Sequence, residues 1–254
     1  MADGTHRRKP MVREIRIYIE GIGDESEDES EDESTTENIP QKRPGFRSKI
    51  PAGKETTAGL RAGFVHLFKE LYDLAESKGI KILSIMSGSR RDACEDFLIS
   101  MESYPEAFNV LLVDSESPVS ETHTPWEHLR SRKEDQPWIL ATQGRDDACC
   151  HLMVQTMEAW FIADIDALNK FYNGGFKEDY LHKRLGNQSV EKVSKYNLSK
   201  WLISATNKTS KGKYHKTRHA PKLLALLDID KVRKASPSCE RLFTTIITKI
   251  LEEP

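Results

Sequence analysis

The order of apolar runs predicts an α/β fold: a mostly parallel sheet flanked by helices, followed by a basic, mainly helical C-terminal extension. Three observations carry this. From residue 12 onward, strand-like and helix-like patterns alternate as β-α-β-α-β, the order that favours a parallel sheet with helices on both faces. The third strand-like run, Asn109–Val113 (NVLLV), is continuously apolar after its first residue, the form of a strand buried on both sides. Beyond about residue 170 the chain turns polar and rich in lysine. The expected division is an α/β domain over residues 12–170 and a basic helical region over 171–254 packed on it.

The elements follow in order. Val12–Glu20 (VREIRIYIE) alternates apolar and charged residues, is rich in β-branched types, and ends at Gly21 and Gly23, so it reads as the first strand. Residues 24–38 hold nine acids, no base and no apolar anchor, the composition of a disordered acidic insertion. Residues 39–53 form a basic, proline-containing loop. From Thr57, Leu60, Phe64, Leu67, Phe68, Leu71 and Leu74 recur at helical steps, and Gly79 stops that helix. Ile80–Met86 is the second strand, and Ser87-Gly88-Ser89 turns the chain into a further helix. After the third strand, residues 117–150 read as a long loop with short elements. His151–Gln155 is a candidate fourth strand, followed by a helix over Thr156–Leu168. Polar residues 172–222 contain Lys195, Lys200, Lys208, Lys211, Lys213, Lys216, Arg218 and Lys222, and helices over Leu223–Leu227 and Cys239–Leu251 close the chain.

The formal net charge of −2 conceals an uneven distribution. Outside the acidic insertion, 38 bases face 31 acids, a basic body that suits a polyanion such as nucleic acid. No apolar run approaches the ~20 residues of a membrane span, and the N-terminus lacks the apolar stretch of a secretory signal. Cys94, Cys149, Cys150 and Cys239 show no CxxC spacing. These features predict a cytoplasmic protein with reduced thiols and no membrane association.

Two groups of acids stand at strand ends. Glu20 closes the first strand in Y-I-E-G; Asp114 and Glu116 follow the buried run in L-L-V-D-S-E-S. In an open parallel sheet the carboxyl ends of the strands share one rim, where ligands bind. Asp114 and Glu116 point to one side if strand alternation persists through them. Three crowded carboxylates repel unless a cation sits among them, and a hard ion with oxygen ligands, Mg²⁺ or Mn²⁺, is the economical solution. An aspartate after a strand also serves as a turn former or helix cap, so spacing alone leaves both readings open.

The pairing of I-Y-I-E-G with L-L-V-D-S-E resembles the TOPRIM (Rossmann-like) family of primases, topoisomerases and OLD-type and RNase M5 nucleases. That family carries Glu-Gly after strand one and Asp-x-Asp after strand three. This chain has Asp-x-Glu, a departure at the third ligand. S-G-S-R-R-D-A, L-L-V-D-S-E-S-P-V, H-L-M-V-Q-T-M-E-A-W-F-I-A-D and K-Y-H-K-T-R-H-A together resemble a bacterial TOPRIM-like domain-of-unknown-function family, often encoded beside ATPases in defence loci. M-E-A-W-F is also similar to a segment of RloB-like defence proteins. The resemblance spans most of residues 12–250. It implies a metal-dependent nuclease with Glu20, Asp114 and Glu116 as metal ligands, antiviral defence as the setting, and an ATPase as partner. It equally admits a TOPRIM-shaped subunit that binds nucleic acid or an ATPase without cutting.

Further candidates depend on that resemblance. Glu158 reads as an added ligand or base, or as a solvent-facing partner of a salt bridge; Asp164 stays undecided. The resemblance places a basic residue opposite the metal, and Lys216 in K-Y-H-K-T-R-H fits. Tyr214, Arg218 and His219 are candidate phosphate contacts, as are Arg90 and Arg91 at a helix start; each also reads as an ordinary surface residue. Two motifs fail. Gly21-Ile-Gly23 lacks the third glycine of a dinucleotide fingerprint, since Ser26 stands there. Gly53-Lys54 is followed by Glu55, not the Ser or Thr of a phosphate-binding loop.

Overall fold

A computed structural model describes residues 12–21 and 52–252. The acidic insertion at 24–38, and all but the end of the basic loop at 39–53, lie outside the described residues. Strand β1 (Glu14–Ile19) is followed by α1 (Ala52–Leu67), α2 (Lys69–Ser77), β2 (Lys81–Met86), α3 (Arg90–Ser103) and β3 (Phe108–Asp114). Helices α4 (Pro125–Ser131) and α5 (Gln136–Ile139) lead to β4 (Cys150–Met153). The remainder is helical: α6 (Glu158–Ala163), α7 (Ile165–Tyr172), α8 (Glu178–Leu185), α9 (Lys195–Thr206), α10 (Lys216–Leu224), α11 (Ile229–Ala235) and α12 (Pro237–Leu251).

The four strands form an all-parallel sheet in the order β2-β1-β3-β4, an α/β arrangement consistent with a Rossmann-like fold. Ile17 of β1 lies opposite Ser84 of β2 and Val110 of β3, so β1 is interior. Its alternation survives as burial: Ile15, Ile17 and Ile19 are fully enclosed. All seven residues of β3 are buried, as its unbroken apolar run requires. The chain moves from β1 to β2 on one side, then crosses to β3 on the other. Right-handed crossovers made in opposite directions place their helices on opposite faces. On the α3 face, Phe97 meets Tyr18 and Trp126, with ring centroids 6.5 and 5.8 Å apart. Elsewhere, Phe68 of α2's N-cap stacks edgewise on Phe243 of α12 at 5.7 Å, and Phe64 of α1 on Trp160 of α6 at 6.4 Å.

Several boundaries differ from the periodicity: α1 starts at Ala52 rather than Thr57, and β4 spans Cys150–Met153 rather than His151–Gln155. The single helix expected from Thr57 is two, interrupted at Phe68, although its apolar stripe runs through both. The helix expected over Thr156–Leu168 is also two, because Asp164 leaves helical geometry and its Oδ1 caps α7 by accepting the Ala167 N–H at 3.3 Å. The helix expected at Leu223 starts at Lys216 and runs through Pro221. It lies so close to α1 that a Cβ on Gly63 would come within 2.6 Å of the Pro221 carbonyl oxygen. The four cysteines are buried and unpaired. Among the described residues, no helix is long and apolar enough to cross a membrane.

Candidate metal centre

Position follows from topology. The crossovers β1 to β2 and β2 to β3 run in opposite directions along the sheet, so the switch point lies between β1 and β3, at the carboxyl rim where parallel sheets bind ligands. Glu20 is the first residue past β1, and its N–H donates to Leu112 O of β3 at 3.0 Å. Gly21 follows for a steric reason. Its N–H donates to Gly88 O at 2.9 Å, and a Cβ there would stand 2.3 Å from Ser87 O. The chain thus passes against the β2–α3 turn, and only glycine fits that approach.

Asp114, the last residue of β3, is 3% exposed. Its N–H donates to Glu20 Oε2 at 2.9 Å, and its Oδ1 accepts the Met157 N–H at 2.8 Å. Arg90 Nη1 donates to its carbonyl at 3.2 Å. The turn beyond is held to the segment after β4: the Ser115 N–H donates to Met153 O at 3.0 Å and the Glu116 N–H to Gln155 O at 2.8 Å. Glu116 has φ of 63°, a left-handed conformation that costs a non-glycine residue ~1 kcal/mol or more. Glu116 therefore reaches the site through a turn rather than through continued strand alternation. Glu20, Asp114 and Glu116 each offer a carboxylate oxygen, and these atoms lie within 4.8 Å of one another.

Basic and acidic groups from the C-terminal half face this rim. Lys216 Nζ lies 3.8 Å from Asp114 Oδ2 and 3.9 Å from Glu158 Oε1. The Tyr214 hydroxyl donates to Glu158 Oε1 at 3.0 Å. Lys195 Nζ forms an ion pair with Glu116. Gln155 joins both sides: its carbonyl takes the Glu116 N–H, and its side-chain oxygen accepts the Lys195 N–H at 3.2 Å.

Burial and crowding set the protonation. Burial pushes the Glu20 carboxyl up to about 7, against the lowering pull of Arg90 and the Asp114 N–H. Burial, then the Glu20 charge, pushes Asp114 well above the ordinary aspartate range. Glu116 moves the other way: burial opposes the shift, but Lys195 holds its carboxyl below the usual value. Burial disfavours the charged amine of Lys216, yet Glu158, Asp114 and Glu20 outweigh it and raise its pKa. The acids nearest one another are thus short of positive charge even with lysines present. An all-oxygen donor set with that deficit fits a hard divalent cation.

The structure brings together Glu20, Asp114, Glu116, Glu158, Lys216, Tyr214 and Arg90. Arg90 is also within 3.3 Å of Asp135 Oδ1, so its guanidinium is shared with a second buried acid. Arg91 points to solvent and pairs with Glu95 at 2.7 Å. Arg218 is exposed on α10. His219 turns inward, where Nδ1 sits 2.8 Å from the Tyr172 hydroxyl and accepts the His215 N–H at 3.1 Å. Asp164 ties helices together instead of joining the rim: its Oδ2 accepts the Asp228 N–H at 2.8 Å and its Oδ1 lies 3.1 Å from Lys231 Nζ. Sequence reasoning placed Lys195 only within a general basic stretch, and Gln155 at a strand end. The 79 positions between Lys195 and Glu116 hid their pairing.

Among known proteins, no curated protein and no solved structure matches this chain. A family model does match, over residues 38–247, the span that includes Asp114, Glu116, Glu158 and Lys216 but not Glu20. That match covers well over half of the chain, and the protein belongs to the family described as Domain of unknown function (DUF4276).

Proposed function

We propose that this protein is a Mg²⁺- or Mn²⁺-dependent nuclease of TOPRIM type that hydrolyses phosphodiester bonds in nucleic acid. One observation carries the reading: oxygens of Glu20, Asp114 and Glu116, at the ends of two strands and with Glu20 and Asp114 94 positions apart, gather within 4.8 Å at the switch point of a parallel sheet. A divalent ion bound there would polarise the phosphate and stabilise the departing oxygen.

The surrounding residues have matching work. Lys216, held between Asp114 and Glu158, can meet charge growing on the phosphate oxygens. Tyr214 and Glu158 fix its position. Glu20, with its carboxyl near neutrality, either completes the ligand set or takes the proton of the attacking water. In the balanced reaction, the water oxygen bonds phosphorus and gives up a proton. The phosphorus–oxygen bond to the leaving sugar breaks, and that oxygen takes a proton. The resemblance that sets such proteins beside ATPases in defence loci makes an ATPase partner part of this proposal.

A second reading has its own support. Lys195 on Glu116, and Lys216 between Asp114 and Glu158, already form an ion-pair network that partly neutralises the acids. On that view the rim is a structural centre in a non-catalytic subunit. Labelled single- and double-stranded DNA and RNA, incubated with Mg²⁺ or Mn²⁺, separate the two. The nuclease reading expects cleavage of at least one substrate, a loss of more than a hundredfold in Glu20→Ala and Asp114→Asn, and retained substrate binding in both. Lys216→Ala should lose cleavage by a similar order while keeping metal affinity, as removal of one transition-state donor does. Absence of cleavage with either metal, also in the presence of the neighbouring ATPase, hands the case to the subunit.

A further inference from the structure

The helix α9 begins at the acids and runs away from them. Lys195, Ser199 and Ile203 recur at four-residue steps and line one wall of a cleft of about 460 Å³; Glu158, His215 and Lys216 line the other. One position around the helix stand Tyr196 and Lys200. Tyr196 is 69% exposed, and Lys200 Nζ lies 5.4 Å from its ring centroid. A large aromatic ring on an ordered helix, left out of the core with the Lys200 ammonium beside it, is a surface that a flat ligand can cover.

The features select among nucleic acids. Base–aromatic stacking needs a base whose face is free, which a single strand offers and a paired duplex does not. Lysines along the same track suit the phosphates between bases. The cleft has the volume of a small-molecule site and admits one unit of a flexible chain. We propose that α9 is a track for single-stranded nucleic acid. A base stacks on Tyr196, Lys200 meets an adjoining phosphate, and the strand continues past Ser199 and Lys195 into the cleft beside the carboxylates. The proposal rests on the nuclease reading for what happens at the acids, but not for binding.

The test reads binding apart from cutting. Fluorescence anisotropy in EDTA would follow labelled oligo-dT, oligo-U and a mixed-sequence duplex of equal length on the full chain. Single strands should bind at least about tenfold more tightly than the duplex, with the dT and U arms showing which sugar is preferred. Tyr196→Ala should weaken single-strand binding by about tenfold, Tyr196→Trp should restore it, and far-UV circular dichroism should be unchanged in both. Lys200→Ala should reduce the salt dependence by roughly one phosphate contact. Equal or tighter duplex binding, no binding at all, or indifference to Tyr196→Ala overturns the track. Binding through Tyr196 by a protein that never cuts defeats the nuclease reading and leaves the track standing. Cleavage that ignores Tyr196 does the reverse.

Discussion

His151 and Glu20 illustrate how single side chains make stability depend on acidity, with opposite signs. His151 Nδ1 lies 3.0 Å from Arg241 Nη1, which can only donate, and its Nε2 lies 3.1 Å from Ala148 O. Burial, then the Arg241 charge, lowers its pKa to about 3. The unfolded chain takes up this proton near the ordinary value of ~6.5. His151 therefore contributes stability above that pH and loses it as pH falls, by at most ~1.4 kcal/mol per unit. Glu20 runs the other way. Its folded carboxyl titrates at about 7, above its unfolded value, so its contribution is present at low pH and is lost as pH rises through about 7. The windows overlap and the slopes offset. Chemical denaturation without divalent metal should show His151→Gln losing less stability than the parent between pH 6.5 and 4.5. Glu20→Gln should gain on the parent between pH 5 and 7. Parallel pH profiles for parent and variant would refute either assignment. The short word Y-I-E-G announced Glu20, because a carboxylate closing an apolar strand before a glycine turn is legible without neighbours. The proton balance was not, since it depends on Arg90 and Asp114 folding around it.

The helix pair α1 and α10 shows how secondary structure carries the site. Gly59 and Gly63, one turn apart on α1, face Pro221 and Leu224 of α10. A Cβ on Gly63 would lie 2.6 Å from the Pro221 carbonyl and 2.9 Å from Leu224 Cβ, so one helix must move. A Cβ on Gly59 would meet Pro221 Cβ at an ordinary 3.4 Å. Alanine is intrinsically better in a helix than glycine by ~1 kcal/mol. Gly59→Ala should therefore be neutral or stabilising. Gly63→Ala should cost about 1–3 kcal/mol from overpacking, a thermal midpoint lower by roughly 2–12 °C. Because Lys216 is the first residue of α10, Gly63→Ala should also weaken cleavage more than its stability loss explains. Comparable melting of the two variants would show that α10 yields without strain. Periodicity located α1 through Leu60, Phe64 and Leu67, but Lys216 read as part of a polar basic segment. Its helix is specified by packing on α1, which local pattern does not report.

For the folded chain as one body, the acids at the rim predict linkage between metal and unfolding. A ligand that binds only the native state at a hundredfold excess over its dissociation constant adds ~2.7 kcal/mol, about 5–10 °C in a chain of this length. Mn²⁺ should raise the melting temperature above that in EDTA, and Asp114→Asn should abolish the rise. Coincident melting curves with Mn²⁺ and with EDTA would favour the ion-pair network. Strands were readable one by one: Ile15, Ile17 and Ile19 alternate, and Val110 to Val113 form an unbroken apolar run, because burial on a sheet imposes short periods on neighbouring residues. Those same periods implied a parallel sheet and thus a common rim for Glu20 and Asp114. The route taken by Glu116, the ion pair from Lys195, the bridging by Gln155 and the placement of Lys216 against Glu158 belong to contacts between residues 39 to 102 positions apart. Linear order carries the near-neighbour forces that make strands and helices. Only closing the chain into three dimensions decides which charges come within a few ångströms, and so whether a set of acids becomes a binding centre.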